Sequence, residues 1–127
     1  MATITATQSS AQPNTVNLSA AQTGNGASTN VLDRGALQTA ALLRLTTTVG
    51  VTPTVTIAFE GSADGTNFFN VAYAVAATPE TVAVANVVII TATTNYYILR
   101  PNHPWRFFRL TYSANTNVTT TADVWVF

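Results

Sequence analysis

The chain has 127 residues, enough for one domain with a core and too few for a second domain of ordinary size. Charged residues make up 8% of it, the formal net charge is zero, and it contains neither lysine nor cysteine. Disulfide-stapled scaffolds and thiolate chemistry are thereby excluded, and the zero balance argues against a nucleic-acid binder that works through phosphate contacts.

Residues 1–30 differ from the rest. They are uncharged, rich in Ala, Thr, Ser, Asn and Gln, and only NTVNL (14–18) reads as a short strand; TGNGASTN (23–30) reads as a loop. Such a composition supplies little to a core of its own. An extended polar N-terminal arm over 1–30 is expected, ordered against another subunit with Val16 and Leu18 at the contact. Deleting it should leave a folded domain over 31–127. The opening MATITATQSSAQPNTV also lacks the basic and apolar regions of a signal peptide, so synthesis without export is expected.

From residue 37 onward the pattern has period two. Leu43, Leu45, Thr47 and Val49 share one face, then GVTP (50–53) reads as a turn. In TVTIAFEG (54–61), Val55, Ile57 and Phe59 point one way and Thr54, Thr56, Ala58 and Glu60 the other. SADGTN (62–67) is a hairpin signal, since Asp-Gly supplies the positive φ of a tight turn. FFNVAYAV (68–75) follows, with Phe69, Val71, Tyr73 and Val75 on one face; ATPE is a turn. TVAVANVVIITAT (81–93) reads as one long strand, or two with a bulge near Asn86. TTN is a turn, YYILR (96–100) a strand, and PNHP (101–104) a loop, because proline cannot donate to a ladder. WRFFRLTYS (105–113), a turn at SANTN, and VTTTADVWVF (118–127) complete the chain.

Seven or eight strands at this spacing predict an all-β protein, an antiparallel β-sandwich with an extended N-terminal arm; a closed barrel is the second architecture. The longest apolar runs, VAYAVAA (71–77) and VVII (87–90), cannot span a bilayer as a helix, so no membrane partner is expected. A surface this short of ions is wetted by neutral hydroxyls and amides or covered by neighbouring polypeptides.

Candidate chemistry is sparse. His103 is the only imidazole, and its neighbourhood supplies arginines and aromatics rather than metal ligands or a nucleophile elbow. Glu60 and Asp64 flank one tight turn, which suits neither a glycosidase cleft nor a calcium loop; Asp64 is expected to accept hydrogen bonds from its own turn. No catalytic, metal or cofactor site is assigned. The arginine–aromatic strand carries bulk on both faces, with Trp105, Phe107 and Arg109 on one and Arg106, Phe108 and Leu110 on the other. Arginine and large aromatics are enriched at subunit contacts, which predicts an interface through Arg100, Trp105, Arg106 and Arg109. The competing reading is a core strand whose arginines reach the rim. A carbohydrate or receptor platform of Tyr96, Tyr97 and Trp105 is a third.

Two stretches carry a resemblance. FEGSADGTNFFNV and RPNHPWRFFRLTYS, in this order and over about a fifth of the chain, resemble motifs of small β-sandwich virion structural proteins of tailed bacteriophages. That resemblance implies a non-enzymatic assembly protein of a virus particle, most simply a capsid decoration (cement) protein, or a small neck or tail component. Its implied partners are copies of itself and a major capsid or other virion protein, and its implied location is the virion. No functional residues carry over from the family. The alternative reading is a carbohydrate- or receptor-binding module of a phage tail or fibre.

Overall fold

The computed structural model describes residues 2–5, 14–34, 41–99 and 105–126. They form eleven strands and no helix: β1 (Ala2–Thr5), β2 (Asn14–Gln22), β3 (Gly26–Ala27), β4 (Asn30–Asp33), β5 (Ala41–Ser62), β6 (Phe69–Asn70), β7 (Tyr73–Val75), β8 (Val82–Ala83), β9 (Val87–Ile89), β10 (Thr93–Leu99) and β11 (Phe107–Val126). The all-β class read from the alternation is the class observed.

Two strands dominate. β5 has 22 residues and β11 has 20, and they pair antiparallel from Ala41↔Val126 to Phe107↔Ser62. GVTP and SANTN, expected to reverse the chain, instead lie inside these strands. The register between β5 and β11 shifts between Ser113 and Thr116 and again before Val118. Thr52, Ala114 and Asn117 take positive φ there, so both strands bend at the same level and the ribbon folds over on itself. Pro53 fits such a site, where a missing N–H costs no rung. Asparagine side chains hold the bend. Asn117 Nδ2 donates to the Val51 carbonyl at 2.6 Å, and Asn115 pairs with Val118 through both its N–H and its carbonyl.

One half of the ribbon, 41–49 with 118–126, is flanked by β2 on the β11 side and by β10, β7 and β8 on the β5 side. The other half, 54–62 with 107–113, is flanked by β3 and β4 on one side and by β6 and β9 on the other. β1 joins β4 in parallel, unlike the other pairings among the described residues.

The same ribbon face is buried throughout. Leu43, Leu45, Val55, Ile57 and Phe59 of β5, with Phe108, Leu110, Tyr112, Val118 and Val124 of β11, belong to one core. The halves meet through it. Tyr97 on β10 and Tyr73 on β7 flank the first half, yet their rings lie 5.2 and 4.5 Å from Phe59 in the second. The folded ribbon thus packs its own inner face against itself, in the manner of two facing sheets.

The expected arm is corrected over its described part. Residues 14–22 form β2, hydrogen-bonded to β11, and Val16 and Leu18 are buried in the chain's own core rather than left for a partner. Period two explains it: Val16 and Leu18 share a face, and that pair suffices to seat a polar strand on the open side of β11. Residues 6–13 lie outside the described residues. Of the two readings of 81–93, the divided one is observed, as β8 and β9 with a break at 84–86, whereas the expected turn TTN is the start of β10.

Candidate interaction surface

The strand that drew attention in the sequence begins at Trp105. Its indole is 2% exposed, packed against Phe108 at 5.4 Å between centroids. Arg34 lies above it, with the guanidinium carbon 3.8 Å from the ring centroid, and donates to the Trp105 carbonyl. Burial lowers the Arg34 pKa from its ordinary value. Backbone bonds from Arg34 N to Arg106 O and from Arg106 N to Ser62 O, each 2.9 Å, close the rungs beside it. Trp105 is a core residue.

Arg106 turns outward and makes a two-pronged contact with Asp33, 2.7 Å from Nε and 3.1 Å from Nη2, which raises its pKa. Arg109 stands directly across the ladder from Glu60 and donates to it at 2.9 Å; the Thr111 hydroxyl donates to the same oxygen at 2.5 Å. Phe68 covers that guanidinium at 3.8 Å. Arg44 repeats the arrangement with Asp123 opposite at 2.8 Å and Trp125 at 4.8 Å. Its pKa is raised chiefly by the hydrogen bond to Asp123. Opposite charges placed across a ladder stabilise by a few tenths to about 1 kcal/mol per pair when partly exposed.

Of the expected interface, Trp105 is buried in the chain's own core, Arg109 is half-buried, and Arg106 remains exposed beside Asp33. Trp105, Arg106 and Arg109 are engaged by the chain's own acids, carbonyls and rings, and Arg100 and His103 lie outside the described residues. Composition misleads because the same residues serve a subunit contact and a sheet that covers its own outer face. The ring platform is also corrected. Tyr97 and Trp105 are 4% and 2% exposed, and Tyr96, on the opposite face of its strand from Tyr97, stands without them. Asp64 behaves as expected. It accepts from the N–H groups of Thr66 and Asn67 and from the Asn67 amide, which hold its carboxyl well below the usual range.

A different surface emerges. Between Glu80 and Arg100 the sequence has no charged residue. Within that run Val82, Val84, Val88 and Ile90 are 49–61% exposed; Val75 and Tyr96 are exposed near Val82 on β8, while Val88 lies on β9 beside the other half of the ribbon. β8 is bonded to β7 and β9 to β5; among the described residues neither has a second strand beside it. Sequence reading placed a strand here and missed its exposure. The absence of charge over the whole run was the available signal. At the ribbon's bend, a separate open cleft of about 390 Å³ is lined by Thr23, Thr48, Val49, Gly50, Asn117, Val118 and Thr119.

Fold and surface together define a class: an all-β body that, among the described residues, pairs Arg44, Arg106 and Arg109 with acids of its own and leaves uncharged strand edges open. The fold is similar to that of a solved structure, the SPBc2 prophage-derived protein YomS. The two superpose with a TM-score of 0.65 at 10% sequence identity, over 91% of this chain and 93% of that one. No protein-family model matches the chain, and no curated protein matches it in sequence.

Proposed function

We propose that the chain is a non-enzymatic structural protein of a bacteriophage particle, a head decoration protein held among neighbouring subunits by its uncharged strand edges. The observation that carries this reading is the pair of open strands β8 and β9 in a run without charge, with Val82 exposed on β8, Val88 on β9, and Val84 and Ile90 beside them. Strand edges with exposed aliphatic side chains and no guarding charge are suited to pairing with another chain. The described arginines each face a ring of the chain itself, which leaves apolar burial and backbone rungs as the means of association. The likeness of fold to a prophage-derived protein supports the phage context, as do the two sequence motifs. Docking is assigned to strand edges rather than to an arm over 1–30, because β2 is already spent on the chain's own core. The partners are further copies of the chain and a shell protein, and the location is the virion.

Gradient-purified particles from cells producing the encoding phage provide the test. Quantitative mass spectrometry should find the chain in fixed proportion to the major shell protein. Recovery of the chain in the soluble fraction alone, while shells sediment, overturns the reading.

A further inference from the structure

The residues of β9, Val87, Val88 and Ile89, are all β-branched, and the strand bonds to β5 along one side. Native edge strands are commonly guarded by lysine, proline or an inward charge. β9 has none of these, and neither does any position from Thr81 to Leu99. An edge so composed is a template for strand addition unless something closes it.

We propose that a second copy of this chain closes it: β9 pairs antiparallel with β9 of another copy about a two-fold axis, bringing Val88 and Ile90 of both copies together. This deepens the assembly reading and rests on it for the claim that the edge is covered. Charge selects the occupant. In a two-fold contact, residues near the axis meet their own copies, so any charge there opposes itself. An unlike partner imposes no such condition and is favoured by complementary charge. β9 and the residues flanking it carry no ion, which satisfies the two-fold condition. Closure matters as well, because a two-fold contact ends at the dimer, whereas a head-to-tail contact on the same edge propagates. Val88 and Ile90, 60% and 61% exposed, offer on the order of 200 Å² of apolar surface per copy, against about 800 Å² in a standard interface. The dimer is accordingly reversible and dependent on concentration.

Sedimentation equilibrium of the full chain tests the pairing. Wild-type protein should show a monomer–dimer equilibrium, the double variant Val88→Lys/Ile90→Lys should be monomeric, and the control Thr66→Lys/Thr116→Lys should dimerise as wild type does. Wild type that stays monomeric at the highest attainable concentration overturns the proposal, and so does a folded lysine variant that still dimerises. Should circular dichroism show the lysine variant unfolded, Val88→Thr/Ile90→Thr decides. Self-association weakened about tenfold or more supports the pairing, and unchanged association overturns it. Co-sedimentation with particles is scored separately. A dimer that never joins particles removes the particle reading and leaves the pairing, whereas a monomeric chain that does join them overturns the pairing alone.

Discussion

Tyr112 donates its phenolic hydrogen to Ser19 Oγ at 3.1 Å, with both residues at most 1% exposed. Tyr112 belongs to the part of β11 paired with residue 57 of β5, while Ser19 lies on β2, beside the far part of β11. One hydrogen bond thus ties the two halves of the folded ribbon. Removing the hydroxyl with Tyr112→Phe strands Ser19 in the interior and should cost about 1–2 kcal/mol of stability, read from urea denaturation midpoints.

Alkali should act on the same residue. Burial pushes the Tyr112 phenol up to about 12, and it raises Tyr73 and Tyr97 in the same direction. A folded pKa above the unfolded value of about 10 means that the neutral phenol stabilises the fold fully below about pH 10. That contribution is lost as pH rises through about 12. Loss of ellipticity should therefore coincide with tyrosinate absorbance in this window, and Tyr112→Phe should move the transition to higher pH.

Leu18 is wholly buried in a strand that its composition marks as a polar arm. Leu18→Ala should cost about 2–5 kcal/mol, as for other large-to-small core changes. Deleting residues 1–30 should abolish cooperative unfolding rather than leave an intact domain. A truncated chain with a wild-type calorimetric transition would contradict this.

Gly61 sits where two side chains converge. A Cβ there would lie 2.7 Å from Val71 Cγ1 and 2.8 Å from Trp105 Cβ. Gly61→Ala forces one of them aside and should destabilise by about 1–3 kcal/mol. Because Trp105 bears part of the crowding, its fluorescence should shift in the folded variant.

The ribbon's bend offers two contrasting outcomes. Asn115 Nδ2 donates to the Val118 and Thr23 carbonyls, and its Oδ1 accepts from the Val118 N–H. Asn115→Ala should cost about 1–2 kcal/mol. Its neighbour Ala114 holds φ at 51°. Ala114→Gly relieves that left-handed strain and should be neutral to stabilising by up to about 1 kcal/mol. Asn115→Ala should lower the thermal midpoint, and Ala114→Gly should leave it unchanged or raise it.

Much of the fold was legible residue by residue. Val55, Ile57 and Phe59 face inward as their spacing predicts, and Asp64 organises its turn as an Asp-Gly signal should. Less of the surface was legible. Arg109 and Glu60 are 49 positions apart, and only the β5–β11 register sets them opposite each other. Without that register an arginine beside aromatics reads equally well as a contact for a partner or for its own sheet.

The sequence by itself determined the all-β class, the two-residue period of each strand and the places where the backbone departs from it, because alternation and turn chemistry are local properties. Tertiary structure decided what those departures do. Gly, Pro and Asn at 50–53 and 113–117 are equally suited to reversing a chain or to bulging a continuous strand, and the long partner beside each selects the bulge. It also decided that Leu18 is core while Val88 and Ile90 are surface. All three are aliphatic residues in strand-like sequence, and what separates them is whether another layer lies across from them.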